Sequence, residues 1–217
     1  MVDFMQKVSL VNKMINWKLW FRKNFPTHVE MSVLKKIEGK ILDVGCGKGL
    51  FLFYCQSRNL DVVGLEISKK KIKEAKTITN RFLVLGDACN LPFKEEVFDN
   101  VVAFDVIEHI KNPLKAIEEM SRVLKFKGKA FFHIPRGKGI FRHMEGHINF
   151  FNNKEKSELL LKQFFKIDKS KCVGFKWFIR PPLIPPSYNI FWVFSTFVTH
   201  ALPEFLSTHY YFETTKK

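Results

Sequence analysis

Residues 41–53 read ILDVGCGKGLFLF: a short apolar run enters three glycines at alternate positions and leaves into a second apolar run. An apolar run ending in a glycine turn reads as a strand, and the turn offers bare backbone to whatever lies against it. Further β-rich runs follow at KILDV (40–44), DVVGL (61–65), RFLVL (81–85), DNVVAF (99–104) and KAFFHI (129–134), with helical stretches between several of them. The clearest helix starts with Asn112 as cap and Pro113 as first residue. It is expected to bury Leu114, Ile117, Met120, Val123 and Leu124 and to stop at Gly128. Strands alternating with helices predict an α/β fold with a parallel, doubly wound sheet.

The flanks read differently. Residues 4–24 set Phe4, Val8, Val11, Ile15 and Leu19 at helical spacing among lysines, and Pro26 ends the segment. A helix over 153–165 leads into a strand near 165–175. RPPLIPP (180–186) then interrupts regular structure, and STHYYFETTKK (207–217) reads as a last strand and tail. The greasiest stretch, 188–203, holds only about a dozen near-continuous apolar residues, short of the roughly 18 a spanning helix needs. The expected organisation is a single domain: a helical cap over 1–38, a core over 39–175, a hydrophobic insertion or lid over 176–206, and a closing strand over 207–217.

With 217 residues, 46% of them hydrophobic, the chain can bury a substantial core. Its net charge of +15 makes acidic partners such as RNA or an anionic membrane surface an expectation to weigh against simple solubility. The lysine run KKKIK (69–73) reads as the solvated face of a helix. Cys46, Cys55, Cys89 and Cys172 form no C-x-x-C pair, which disfavours a structural zinc and fits a reducing, cytoplasmic compartment. The first residues lack the pattern of a secretory signal.

The glycine loop does not choose its ligand unaided. A P-loop needs Ser or Thr after its lysine, and Lys48 is followed by Gly49. A dinucleotide fingerprint needs G-x-G-x-x-G, and Leu50 stands where its third glycine would be. Glu66, ending the second strand, suits a ribose in either case. Asp43, two residues before Gly45, shifts the balance: a carboxylate there repels a pyrophosphate and welcomes a sulfonium or an ammonium.

LDVGCGKG (42–49), VVGLEIS (62–68), GDACNLPF (86–93), FDNVVAFDVIEHI (98–110) and RVLKFKGKAFFHIP (122–135) together resemble the class I S-adenosylmethionine-dependent methyltransferases. HINFFNNKEKSELL (147–160) extends the resemblance to the branch that includes ubiquinone-type O-methyltransferases, and it fades beyond about residue 175. The resemblance implies a Rossmann-like, seven-stranded sheet and S-adenosylmethionine as cofactor. It also implies roles. Gly45 and Gly47 would let the backbone approach the methionine part, with Cys46 and Gly49 also in the cofactor site; Asp43 would lie beneath that part, and Glu66 would take both ribose hydroxyls. Asp87, with the Ala88 amide, would read the adenine edge, Phe104 would lie near the methyl-donor end, and Ile67 would belong to the same cofactor site.

Methyl transfer needs alignment more than it needs a catalyst, because the sulfonium is already activated. A residue that takes the acceptor's proton is optional, and His109 and Glu108 are the candidates. If DVIEH (105–109) opens a helical turn, Asp105, Glu108 and His109 share one face. With His143 or His147 they could bind a divalent metal, as E-x-x-E-H does in two related branches. Asp105 is shorter than the glutamate of those branches, so the expectation is an organising stretch with no metal. The expected activity is methyl transfer to a small, apolar acceptor, at oxygen. Two alternatives are a metal-using RNA methyltransferase and a non-catalytic or membrane-surface cofactor-binding protein.

Overall fold

The structure, a computed structural model, describes residues 27–137, 147–149, 151–175 and 207–217. The amphipathic segment 4–24, His143 and the apolar stretch 188–203 lie outside them. Helix α1 (His28–Leu34) opens on a reciprocal cap in which the Thr27 and Glu30 side chains accept each other's backbone N–H. Strand β1 (Lys40–Val44), helix α2 (Leu50–Ser57), strand β2 (Asp61–Glu66), helix α3 (Lys69–Ala75) and strand β3 (Phe82–Leu85) follow in alternation. Strand β4 (Phe98–Phe104) leads through a 3₁₀ turn (Ile107–His109) to α4 (Pro113–Val123) and β5 (Leu124–Pro135). Helix α5 (Lys154–Leu161) and strands β6 (Phe165–Phe175) and β7 (Ser207–Lys216) complete the described elements.

The seven strands lie in the order β3-β2-β1-β4-β5-β7-β6. β1 to β5 pair in parallel, and β7 runs antiparallel between β5 and β6. Apolar residues cover both faces, as a doubly wound sheet requires. One face packs Phe98, Ile117, Met120, Phe132, Tyr210 and Phe212; the other packs Val33, Leu52, Phe131 and Tyr211. The chain crosses from one side of β1 to the other between β3 and β4. The carboxyl ends of β1 and β4 therefore flank the crevice where open α/β sheets take ligands.

Two helix ends correct the sequence reading. α4 keeps its Asn112 cap and its initial Pro113 but stops at Val123, well short of Gly128. The carbonyls of Arg122 and Val123 are taken by the Glu96 and Val97 amides, and Leu124 already pairs with Phe98 as strand. Gly128 sits inside β5, where a Cβ would strike Leu124. Leu114, expected in the core, is 38% exposed. α5 likewise ends at Leu161, four residues early, because Phe165 begins β6. The lysines of α3 are exposed as expected, with Ile72 and Ala75 turned inward. Among the described residues no helix is long and apolar enough to cross a membrane.

Candidate active site

The glycine loop follows β1 directly. The amides of Gly45 and Cys46 both donate to the Leu65 carbonyl, at 2.7 and 3.0 Å, which ties the loop to the end of β2. Gly45 has φ of 70°, and a Cβ there would lie 2.4 Å from Val106. Gly47 has φ of 55°, but a Cβ on it would meet nothing nearer than the Gly45 carbonyl at 4.0 Å. The first glycine is thus required by packing, and the second presents backbone to open space. Lys48 turns away and pairs with Glu74 of α3 at 2.7 Å, so it is not aimed into the loop as a phosphate lysine would be.

Glu66 is buried, and both of its oxygens accept backbone N–H groups: Oε2 from Gly47 at 3.0 Å and Oε1 from Ser68 at 2.9 Å. These bonds fix the carboxylate against the loop while leaving lone pairs on each oxygen. Asp43 and Glu30 are buried nearby. Burial, reinforced by Glu30 and Glu66, holds the Asp43 carboxyl well above the usual range. Three acids converging on so little water make a site that favours a cation. Glu30 was not legible as part of this cluster, since its capping role alone accounts for it in sequence. Cys46 is buried against the same acids, and burial pushes its thiol up.

Past β2, Ile67 is 69% exposed although apolar. The Asp87 Oδ1 accepts the Cys89 N–H at 2.9 Å and shapes its own turn, beside a buried Ala88. α4 holds this loop from behind: Glu119 accepts the Leu91 N–H at 2.9 Å, and Arg122 donates to the carbonyls of Leu91 and Phe93. Phe104, at the end of β4, packs edge-on to Phe51 at 5.1 Å.

Beyond β4 the expected arrangement divides. Asp105 takes φ of 54°, so it lies outside the helical turn and does not share a face with Glu108 and His109. Its Oδ1 instead lies 2.8 Å from Nδ1 of His133 and 3.8 Å from Nε2 of His209. The two imidazoles stack at 4.3 Å with an interplanar angle of 14°. Burial, and then His133, pushes His209 down to about 3.

Glu108, His109 and His147 remain together, with donor atoms all within 4.8 Å of one another. The Glu108 side chain is 1% exposed. Among the described residues neither of its carboxylate oxygens has a hydrogen-bond partner. Burial, and then Asp105, pushes this carboxyl up to about 8. The Glu108 carbonyl accepts the amides of Ile148 and Asn149, and the Asn149 side chain donates to Ile110, at 2.6 Å. His109 and His147 meet ring to edge at 4.7 Å, and burial, then His109, lowers His147.

Comparison with known proteins bears on the whole arrangement. A family model described as a methyltransferase domain matches residues 42–132. An uncharacterized protein of Methanocaldococcus jannaschii is 30% identical over 198 residues, covering 80% of this chain and 84% of its own. The demethylmenaquinone methyltransferase of Staphylococcus haemolyticus is 33% identical over 129 residues, 55% of this chain and 52% of that one. A crystal structure from Thermotoga maritima, described as an S-adenosylmethionine-dependent methyltransferase and possible histamine N-methyltransferase, superposes with a TM-score of 0.66. It is 23% identical, with 94% of this chain and 96% of that one covered, and so supports the fold.

Proposed function

The chain belongs to the class I S-adenosylmethionine-dependent methyltransferases, and on that premise we propose that it methylates a small, apolar acceptor at oxygen. The cofactor's methionine part lies along Gly45, Cys46, Gly47 and Gly49, with Asp43 beneath it. Glu66 receives the ribose hydroxyls, and the adenine meets Ile67, Asp87 and Ala88. The methyl group points past Phe104. One observation carries this reading: the Gly47 backbone faces open space while its N–H holds a Glu66 oxygen at 3.0 Å. Backbone and diol acceptor are thereby fixed side by side before any ligand arrives.

The physical chemistry agrees. The acids Glu30, Asp43 and Glu66 favour an ammonium and a sulfonium. An exposed Ile67 offers apolar surface for a flat base to cover. Transfer is an in-line displacement in which the residues align the acceptor and exclude water. Glu108 and His109, weighed above as proton acceptors, are better assigned to organising the loop. The support is that the Glu108 side chain is buried within a 3₁₀ turn whose backbone, through the Glu108 carbonyl, already takes the amides of Ile148 and Asn149. The segments 4–24 and 176–206 are rich in Phe, Trp and Leu, side chains whose chemistry suits an apolar acceptor. Acceptance at oxygen is favoured by the Asp105–His133 pair beyond Phe104, because a hydroxyl must shed a proton and an electron-rich carbon need not do so first.

Calorimetric titration with S-adenosylhomocysteine and with NAD tests the cofactor part. Heat with the first and none with the second is expected; the reverse would overturn it. A screen with tritiated methyl donor across phenols, quinols, lipids, RNA and protein tests the acceptor. Label confined to RNA or protein would overturn the small-molecule assignment.

A further inference from the structure

With Glu108 and His109 assigned to organising their loop, no residue named so far takes the proton that a hydroxyl acceptor must shed. His133, near the carboxyl end of β5, packs edge-on to Phe104 at 6.4 Å, and its Nδ1 meets the Asp105 carboxylate. We propose that His133 is the general base of the transfer, its Nε2 taking the proton of the acceptor's hydroxyl, and that Asp105 is the positioning residue that holds the ring for it. The hydroxyl rests on the function proposed above; the state and orientation of the ring do not.

Phe104 pairs with His133 across β4 and β5, which sets Asp105 at the next position beyond the strand. The chain ties the two residues together twice. The Asp105 N–H donates to the His133 carbonyl at 2.9 Å, and the Asp105 Oδ1 lies 2.8 Å from Nδ1 of the ring. The backbone bond by itself fixes the loop. What the side-chain bond adds is control of the imidazole: a carboxylate only accepts, so Nδ1 carries the hydrogen and Nε2 keeps its lone pair. A neutral ring in that tautomer turns its basic atom away from the carboxylate, where a substrate proton can reach it. Asp105 makes this contact at φ of 54°, a left-handed conformation that costs free energy for a residue other than glycine.

The other neighbours suit the same role. Pro135 pairs with His209 across β5 and β7, so His133 and His209 are diagonal neighbours on one face of the sheet. Their rings stack at 4.3 Å and 14°, which covers one face of His133 and hinders its rotation. Burial, and then His133, pushes His209 down to about 3, so this neighbour is neutral and does not compete for the proton. The charged and titratable groups around His133 are Asp105 after β4, His209 and Tyr211 on β7 and, beyond His209, His147. Burial raises the Tyr211 hydroxyl, which therefore stays neutral as well. Among the described residues nothing hydrogen-bonds to Nε2, and the His133 side chain is 15% exposed. Once protonated, the ring would lie between a carboxylate and neutral groups, so Asp105 stabilises the charge as it forms.

The step balances on these groups. The Nε2 lone pair takes the hydroxyl proton. An oxygen lone pair forms the bond to the methyl carbon as the carbon–sulfur bond breaks, and that electron pair stays on sulfur, which becomes a neutral thioether. The imidazolium then returns its proton to bulk water.

The test compares two acceptors on the whole chain. Phenol keeps its proton up to about pH 10, whereas 4-nitrophenol is already ionised at mildly alkaline pH and needs no base. At that pH His133→Gln should lower tritiated-methyl transfer to phenol by about a hundredfold or more and spare transfer to 4-nitrophenol. Asp105→Asn should show the same selectivity with a smaller loss. Far-ultraviolet circular dichroism and S-adenosylhomocysteine affinity should match the wild type; if His133→Gln does not fold, Asp105→Asn decides alone. Equal losses on both acceptors, or no loss on phenol, would overturn the proposal. Wild-type transfer to neither compound is a failure of the acceptor assignment instead, and nitrogen NMR of labelled histidine then decides. His133 in the Nδ1–H form, switched to the other form by Asp105→Asn, supports the paired base. An Nε2–H ring in the wild type, or a tautomer that Asp105→Asn leaves unchanged, overturns it.

Discussion

The two halves of the sheet's carboxyl edge are built on different plans. On the β1–β3 side, contacts are made by backbone: glycines in left-handed conformation, and a glutamate whose oxygens are already held by two amides. On the β4–β7 side they are made by side chains, imidazoles and carboxylates that face one another across strands. Backbone cannot be exchanged by mutation, so the first plan suits a ligand of fixed shape. Side chains can be exchanged one at a time, so the second can be altered without disturbing the backbone that carries it. The difference teaches that a backbone-built end and a side-chain-built end share one edge of the sheet.

The strongest way to break this contrast is at Gly45. Gly45→Ala combines left-handed strain of about 1–2 kcal/mol with overpacking against Val106 of about 1–3 kcal/mol. A loss of roughly 2–5 kcal/mol in urea-unfolding stability is expected. A loss below about 1 kcal/mol would show that the loop yields, and that its geometry is not imposed by packing.

A second test sharpens the contrast within the first half. Glu66→Ala removes the acceptor proposed for the ribose and releases the amides of Gly47 and Ser68. Affinity for S-adenosylhomocysteine should fall by about 1.5–3 kcal/mol, the range for hydrogen bonds to a charged group, with a native circular-dichroism spectrum. Unchanged affinity would place the cofactor elsewhere.

The smallest expected effect belongs to the second half and depends on pH. Glu108, pushed up to about 8 by burial, keeps its proton in the folded chain and loses it near the ordinary carboxyl value when unfolded. Its contribution is full below that ordinary value and is lost as pH rises through about 8. His209, pushed down to about 3, works in the opposite sense, but only below the ordinary imidazole value near 6.5. Between about 6.5 and about 8 stability should therefore decline with pH, at no more than about 1.4 kcal/mol per unit. Thermal unfolding with a chelator present should show that decline, and Glu108→Gln should flatten it. An equal decline in both proteins would show that Glu108 is not its source.

What the sequence disclosed follows the same division. Asp43 and Glu66 lie at the ends of β1 and β2, and the loop glycines and Asp87 lie just beyond β1 and β3, so the strand pattern together with the family resemblance set them on one edge. His133 and His209 gave no such signal. In KAFFHIP the histidine looks like one polar interruption of a buried strand, and in STHYYF it looks like a polar residue of a last strand with no stated partner. Only the β5–β7 register, with β7 antiparallel, turns them to one face. The left-handed backbone at Asp105 was equally hidden, because Asp in DVIEH satisfies a helical spacing that the chain does not adopt. The end of α4 at Val123 was missed for a related reason: the groups that take its last carbonyls come from Glu96 and Val97, far back in the chain.

The position of β7 bears on how the protein is made. This strand follows β6 in the chain yet lies between β5 and β6, and it buries Tyr210, Phe212 and Thr214. During synthesis the residues of β1 to β5 leave the ribosome first and can pair in parallel while β7 is still inside it. His209 arrives with the inserting strand. A chain cut before β7 can keep the parallel half of the sheet, with the glycine loop and Glu66, yet it loses His209 and the strand that ties β6 to β5.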